Sequence, residues 1–353
     1  MSAMLDDHFA RNDGIDRRIL QALHGPQMQA ARSIEAQLRH LIDAGFDRIP
    51  APGHGATLKR WQALERVARH DLALVKLYES HTDALAILQE IDTAHTPRAA
   101  AIHAVWASEG RQDPVTIRSG DGTHVVIVGR KSWCSGATVV DCALITATDQ
   151  DGRRRLVEID LASPGITIDT SRWNAVGMRA SGSFDIVCDT VPARLVGPVD
   201  GYLDRPGFWH GGAGIAACWH GAAAAIGTRV RDLQAGRDDV HALAHLGAID
   251  AALASGAALL RETAAAIDAA PARDAMRIVL RVRGAVADLC EVVLHHAGRA
   301  IGPGPLCNEP DLAQRVADLP IFIRQSRAEH DRVAQSRSLL ADEAAMREEG
   351  WTL

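Results

Sequence analysis

The chain has 353 residues, a formal net charge of -6, a hydrophobic fraction of 47% and an aromatic fraction of only 4%. That length exceeds one ordinary domain, so we expect two or three packed units, and the frequent alanine favours helices. The net negative charge leaves no excess positive field to neutralise phosphates, which argues against a nucleic-acid partner. Because the sequence has no uninterrupted run of about 18 apolar residues and no apolar core near its start, we expect a cytoplasmic protein without a membrane span.

The first part of the chain is predicted to be helical. Apolar residues recur at helical spacing from residue 16 to residue 100, as at Leu20, Leu23, Leu38 and Leu41. A second amphipathic stretch covers residues 58–89. These patterns predict an N-terminal helical domain over residues 1–103.

The middle of the chain changes to short β-branched runs. Residues 124–128, 142–147, 156–160 and 184–188 are typical of strands. Turn sequences at 119–122 and 149–152 favour hairpins, so we expect a largely antiparallel β-domain over residues 104–200.

Alanine-rich helical sequence returns after Pro206. Breaks near residues 236–239, 269–272 and 302–305 divide it into four helices of roughly 25 residues each. Their broad apolar faces predict a four-helix bundle over residues 201–353. The six cysteines contain no C-x-x-C pair, and His241 and His245 lack a suitably spaced third ligand, so no metal site is predicted.

Two stretches of the predicted β-domain carry a family resemblance. Gly129-Arg-Lys-Ser-Trp-Cys-Ser-Gly-Ala137 resembles the G-x-K-x-W-I-T-N segment of the acyl-CoA dehydrogenase superfamily, and the run 173–185 followed by Val191-Pro192 resembles the segment that closes its β-domain. In that family the tryptophan packs against the flavin ring and the following hydroxyl lies near flavin N5. The resemblance therefore implies that Trp133 and Ser135 bind FAD, and their spacing on a strand predicts that both side chains share one face.

Two looser matches extend the resemblance to other loops. The segment that begins at Trp106 and contains Ser108 is similar to a family loop at the pyrimidine end of the flavin. The turn 302–311 is similar to the one that carries the catalytic base, which implies that Glu309 removes the substrate α-proton. A carboxylate in that setting should have a raised pKa.

The resemblance implies a fold that is mainly α with a central β-domain: an N-terminal helical domain, a middle antiparallel β-barrel or sandwich, and a C-terminal four-helix bundle. It implies an FAD-dependent oxidoreductase that dehydrogenates an acyl-CoA or related acyl thioester by hydride transfer to flavin N5. Several family motifs are replaced, which favours as an alternative a flavin-dependent monooxygenase or oxidase of the same fold, with His210 and His330 as residues to test. A flavin-free scaffold that has lost its chemistry is the second alternative.

Further binding residues are expected outside the β-domain. The run 205–214 combines aromatic, imidazole and glycine residues at a helix start, so Phe208, Trp209 and His210 are candidates for substrate binding. The resemblance implies that Arg324 or Arg327 approaches the FAD diphosphate. It also implies a homodimer or homotetramer, a small-molecule acyl substrate, and an external electron acceptor for which the sequence shows no site.

Overall fold

The computed structural model describes residues 18–108, 110 and 113–341. They form two compact units, each made of two chain segments. One contains residues 18–51 with Ala73–Phe208, and the other contains Pro52–Leu72 with the described residues from Trp209 onward. The three predicted ranges, 1–103, 104–200 and 201–353, stay a prediction about domains, and their two ends lie outside the described residues.

From residue 18 onward, five helices precede the sheet, as the helical spacing predicted: α1 (residues 18–24), α2 (Pro26–Ala30), α3 (Ile34–Asp43), α4 (Thr57–His70) and α5 (Leu72–Ile91). Helix α3 begins where the Ser33 hydroxyl accepts the Ala36 N–H at 3.1 Å. The predicted stretch 58–89 is broken at Asp71, whose extended backbone (φ -155°, ψ 136°) ends α4. Helix α4 then belongs to the second unit and α5, from Ala73 onward, to the first.

The described strands form one mixed sheet in the first unit, and a barrel is not confirmed. The strands are β1 (His103–Trp106), β2 (Thr116–Asp121), β3 (His124–Cys134), β4 (Cys142–Thr148), β5 (Arg154–Asp160), β6 (Ile166–Asp169) and β7 (Phe184–Val196). Their order is β1-β4-β2-β3-β7-β5, with β6 on β7 and a further β4–β5 pairing. Most pairs are antiparallel as predicted, but β4 pairs in parallel with β1 and β2.

Helix α5 packs on the sheet to form the core of the first unit. Ala84, Ile87 and Leu88 of α5 are buried against side chains of β4, β5 and β7, namely Leu144, Leu156 and Val196. Burial of each of the larger side chains stabilises the unit by about 1.5–3 kcal/mol. The unit closes with a short helix, α6 (Gly201–Asp204).

The C-terminal helices are α7 (Gly207–Gln234), α8 (Val240–Ala269), α9 (Met276–Ile301), α10 (Pro303–Asn308), α11 (Pro310–Phe322) and α12 (Ala328–Ala341). The predicted breaks separate α7, α8 and α9, whereas the expected long fourth helix is divided among short ones in the described residues. Pro303 and Pro310 each stand at the first position of a short helix, because a proline lacks the backbone donor that would continue the preceding helix. Pro320 lies inside α11 and does not divide it. Gly302, at φ +65°, ends α9.

In the second unit, α4 packs closely against α7. A Cβ atom on Gly221 would lie only 2.6 Å from the Glu65 carbonyl oxygen, so glycine lets the two backbones approach. Trp61 of α4 and Trp219 of α7 are both fully buried. Helix α8 is, among the described helices, the one long and apolar enough to cross a membrane by length and composition, and only 17% of its most apolar window is buried.

Candidate functional site

Strand β3 ends in a bulge, residues 131–135, that presents a large aromatic ring. Its register against β7 shifts between Lys131 and Cys134, and Trp133 has a left-handed backbone with φ +59°. Such a conformation costs a non-glycine residue about 1–3 kcal/mol and persists only where neighbouring contacts enforce it. The Trp133 side chain is 60% exposed. A strained bulge that turns an indole to the surface marks a candidate binding site.

Strand β7 holds this bulge through Asp185, whose side chain is 6% exposed. One carboxylate oxygen accepts the Trp133 N–H at 3.3 Å, and the other lies 3.1 Å from Arg130 Nη1. Arg130 also donates to Asp169 on β6 at 2.8 Å. The Ser171 hydroxyl and the Arg130 guanidinium hold the pKa of Asp169 well below its usual range. Arg130, Asp169 and Asp185 therefore tie the bulge of β3 to strands β6 and β7.

A chain of buried hydroxyls follows the bulge. Ser135 Oγ lies 2.8 Å from Ser183 Oγ, which lies 2.9 Å from Ser181 Oγ. Ser181 donates to the Met178 carbonyl at 2.8 Å. Because each hydroxyl has one proton, Ser183 must donate to Ser181 and Ser135 must donate to Ser183. Ser135 therefore offers a lone pair, and not a proton, to any further partner.

The structure brings two of the predicted flavin residues together. The Trp106 indole N–H donates to the Ser135 carbonyl at 3.1 Å, and both residues are buried. Trp133 and Ser135, in contrast, differ in exposure: Trp133 is 60% exposed and Ser135 is 5% exposed, and that both side chains share one face stays a prediction. The bulge interrupts the strict alternation of side chains on which that prediction depended.

The remaining predicted cofactor residues lie at the surface. Ser108 is exposed at the end of the described stretch, while Glu109, Arg111 and Gln112 of the same loop lie outside the described residues. The Arg324 guanidinium pairs with Glu291 of α9, and its side chain is 63% exposed. Arg327, immediately before α12, is also exposed.

Of the predicted substrate residues, Phe208 is half-buried in the first unit and packs edge-on against Tyr202, with ring centroids 5.5 Å apart. Trp209 is half-buried in the second unit. His210 is buried there, and its ring lies so close to Gly53 that a Cβ atom on this glycine would be 2.4 Å from Nδ1. Gly53 has φ +73°, a conformation that glycine adopts without strain. His330, named for the alternative reaction, is exposed on α12.

Glu309 precedes α11 in the second unit and forms a bidentate ion pair. Its two carboxylate oxygens accept hydrogen bonds from Arg229 Nε and Nη2, both at 2.7 Å. The Arg229 guanidinium holds the pKa of Glu309 below its ordinary value. This differs from the raised pKa expected of a catalytic base, because the carboxylate already has a fixed cationic partner.

Sequence reasoning missed three side chains that shape the candidate site, namely Arg130, Asp185 and Ser183. All three lie inside the stretches that carry the family resemblance, but no local pattern distinguishes them there. Their role depends on the pairing of β3 with β7, which sets Lys131 opposite Ile186 and Cys134 opposite Phe184. In the sequence, Arg130 follows the first predicted strand and Asp185 lies in the fourth, and no local signal pairs these two strands.

The chain has the acyl-CoA dehydrogenase-like fold, which the sequence resemblance predicted. Similar solved structures include TdsC from Paenibacillus sp. A11-2, named as a dibenzothiophene monooxygenase and solved with FMN. It has a TM-score of 0.77 and 15% identity, over 94% of this chain and 96% of that chain.

Two further structures have a TM-score of 0.74. KijD3, solved with FMN and a dTDP-linked keto sugar, is 20% identical over 97% of this chain and 94% of that chain. MsuC from Pseudomonas fluorescens, named as a methanesulfinate monooxygenase, is 16% identical over 94% of this chain and 96% of that chain. No protein-family model matches the chain, and no curated protein matches it significantly. The likeness is therefore one of fold.

Proposed function

We propose that the chain is a flavin-dependent oxidoreductase of the monooxygenase type, with the flavin ring lying against the Trp133 indole. The observation that carries this proposal is the strained, exposed Trp133 on a bulge fixed by Asp185 and Arg130. A planar ring system stacks favourably on an exposed indole, which explains why such a side chain would be held outward. Two solved structures of the same fold are named as FMN complexes.

The residues around the bulge suit a flavin. Trp133 offers an apolar surface for stacking, and Ser135 offers a hydroxyl lone pair whose direction is fixed by the chain of serines. A lone pair matches the N5–H group that a flavin carries when it is reduced and not when it is oxidised. When bound, a reduced flavin supplies the two electrons that dioxygen activation requires. The chain's own contribution is to orient the ring and to restrict water beside it.

The bidentate pair between Glu309 and Arg229 favours the monooxygenase over acyl-CoA dehydrogenation. Removal of a substrate α-proton needs a carboxylate that gains a proton readily, and Arg229 opposes protonation. A monooxygenase has no need of this base. Dehydrogenation of an acyl-CoA by Glu309 is the second candidate function, supported by the position of Glu309 in the turn that resembles the family motif.

The choice of flavin and the assembly follow as parts of the same proposal. FAD is the cofactor that the family resemblance implies, with Arg324 or Arg327 at its diphosphate, whereas the similar structures are named with FMN. A homodimer or homotetramer in the cytoplasm would cover the largely exposed apolar residues of α8, such as Leu243. The substrate is a small molecule, with an acyl thioester as the first class to test.

Flavin binding is tested with purified full-length protein titrated with FMN and FAD, followed by the quenching of flavin fluorescence. Trp133→Ala is expected to weaken binding at least tenfold, while Trp133→Phe keeps part of the stacking. Trp173→Ala is the matched control, since Trp173 lies in the same unit and its indole donates to the Arg179 carbonyl. Equal loss of melting temperature in Trp133→Ala with and without flavin would contradict a binding role.

The two reactions are separated by their electron flow. Under the monooxygenase proposal, turnover requires a flavin reductase and dioxygen, and Glu309→Gln leaves it largely unchanged. Under the dehydrogenase alternative, an acyl-CoA bleaches the bound flavin anaerobically, and Glu309→Gln abolishes the bleaching while the flavin stays bound. Bleaching of the bound flavin by any member of an acyl-CoA panel, in the absence of oxygen, would therefore contradict the monooxygenase proposal.

A further inference from the structure

Three strands of the first unit present a cluster of metal-ligating side chains away from the Trp133 bulge. His103 on β1 is the direct partner of Cys142 on β4, and Cys142 is the direct partner of Asp160 on β5. Directly paired residues project to the same face of a sheet, and residues two apart on one strand also share a face. Glu158 therefore lies on the face that carries His103 and Cys142.

The three side chains converge closely enough for metal binding. One ligand atom from each of His103, Cys142 and Glu158 lies within 4.8 Å of the other two. A tetrahedral zinc ion has bonds of about 2.0–2.3 Å, so its ligand atoms are roughly 3.3–3.8 Å apart. A contraction of about an ångström brings the three atoms to that spacing. His103 and Cys142 are buried, and the Glu158 side chain is only 13% exposed.

A further residue of a ligand type lies next to Glu158, outside the group of three. His95, in the segment that connects α5 to β1, has Nε2 3.1 Å from Glu158 Oε2, and its side chain is 26% exposed. Two imidazoles, one thiolate and one carboxylate form a donor set typical of zinc, whereas calcium and magnesium prefer oxygen ligands.

Neighbouring groups orient two of the ligands as in known metal sites. His103 Nε2 lies 3.3 Å from the Arg98 carbonyl oxygen, and an N–H donated there leaves the lone pair on Nδ1. Arg194 donates two hydrogen bonds to Glu158 Oε2, at 2.9 and 3.1 Å. Within the described residues, the other carboxylate oxygen, Glu158 Oε1, accepts no such hydrogen bond.

The local charge also favours a divalent cation. Four carboxylates and three guanidiniums surround the cluster: Asp92, Asp141, Glu158 and Asp160, with Arg39, Arg98 and Arg194. The carboxylates exceed the guanidiniums by one charge, and a Cys142 thiolate would add a second negative charge. An added divalent cation would balance this excess, which is costly to leave in a partly buried setting.

We propose that His103, Cys142 and Glu158, with His95 as the fourth ligand, form a zinc site that fastens the segment before β1 to strands β1, β4 and β5. The site is independent of the proposed flavin function, because its ligands lie on other strands than the Trp133 bulge. Its role is structural, since four protein ligands fill a tetrahedral zinc ion and leave no position for a substrate.

The first test measures zinc directly. Full-length protein without a histidine tag is depleted with EDTA, incubated with equimolar zinc or cobalt, desalted and analysed by mass spectrometry for bound metal. We expect one ion per chain. The cobalt-loaded protein is expected to show a thiolate-to-cobalt charge-transfer band, recorded as a difference spectrum at matched flavin content. No bound zinc or cobalt in the wild type would overturn the proposal.

Matched cysteine variants identify the sulfur ligand. Cys142→Ser is expected to lose the charge-transfer band, and Cys188→Ser is expected to keep it. Cys188 is a suitable control because, like Cys142, it is buried in a strand of the same sheet. A band that persists in Cys142→Ser would exclude this thiol and overturn the site.

A second measurement avoids dependence on a variant that fails to fold. Thermal unfolding of the wild type is compared with equimolar zinc and with magnesium, and the same comparison is made for His95→Gln, which changes a half-buried residue outside the strands. Zinc should raise the melting temperature of the wild type by several degrees and that of the variant by much less, and magnesium should have no effect. Equal rises in both proteins would overturn the assignment, and flavin titration of the same samples reports the proposed function separately.

Discussion

Removal of the Asp185 carboxylate is expected to release the Trp133 bulge and with it the flavin. In Asp185→Ala, the Trp133 N–H loses its acceptor and Arg130 loses one of two carboxylate partners. Trp133 then has less to hold it in the left-handed region, at φ +59°. The backbone can relax toward an ordinary extended conformation, which turns the indole away from its present direction.

The magnitude follows from the hydrogen bond and the ion pairs that Asp185→Ala removes, of which the pair with the exposed Arg172, at 3.9 Å, contributes little. A hydrogen bond to a charged acceptor contributes about 1.5–3 kcal/mol. The Arg130 pair adds little, because Arg130 keeps Asp169 at 2.8 Å and is partly exposed. The relaxation of Trp133 returns about 1 kcal/mol of strain to the variant. We therefore expect a net loss of about 1–2 kcal/mol of unfolding free energy and about a tenfold weaker affinity for flavin.

Asp169→Ala is the control for this experiment. It also removes a carboxylate paired with Arg130, but the hydrogen bond from the Trp133 N–H is made to Asp185. Urea unfolding gives the stability of both variants, and fluorescence titration with FMN and FAD gives the affinity. Both variants should be less stable than the wild type, while only Asp185→Ala should bind flavin more weakly.

Two results would refute this reasoning. If Asp169→Ala weakened flavin binding as much as Asp185→Ala, the effect would come from Arg130 and not from the backbone of the bulge. If Asp185→Ala kept the wild-type affinity while losing stability, the conformation of Trp133 would not matter for the cofactor.

Three further perturbations test other parts of the structure. Ser183→Ala frees the proton of Ser135, so that the Ser135 hydroxyl can donate a hydrogen bond to an oxidised flavin. Because a hydrogen bond of about 1 kcal/mol would stabilise the oxidised form, the reduction potential of the bound flavin should fall by roughly 20 mV, which dye-coupled reduction measures. An unchanged potential would place Ser135 away from the flavin. Arg229→Gln should destabilise the protein at neutral pH, because the folded pKa of Glu309 lies below its ordinary value of 4.5. The contribution of the Glu309–Arg229 pair to stability is present above the pKa of Glu309 in the unfolded chain, and it is lost as the pH falls through the pKa of Glu309 in the folded protein. The difference in unfolding free energy between Arg229→Gln and the wild type, measured with urea, should therefore vanish in acid. Gly53→Ala should cost about 1–3 kcal/mol from its φ of +73° alone, and more because the new Cβ would lie 2.4 Å from a buried imidazole nitrogen. A melting temperature equal to that of the wild type would contradict this.

The order of helices, strands and helices could be predicted from the sequence, since it depends on local periodicity. Strands β3, β4, β5 and β7 extend the predicted runs, and the predicted turn at 149–152 joins β4 to β5. Strands β1, β2 and β6 were not predicted because they are short or interrupted by polar residues. The parallel pairing of β1 with β4 joins segments nearly 40 residues apart, and no local pattern encodes such a contact.

The sequence by itself determined the helical and strand periodicity and the motif around Trp133, because both are properties of neighbouring residues. Only the tertiary structure decided that Trp133 is exposed while Ser135 is buried, because the bulge depends on the register of β3 against β7. It also decided that Glu309 faces a fixed cation, since Arg229 lies 80 positions away in the chain. Distances across the fold set the protonation and the direction of a side chain, and they arise only when distant segments pack together.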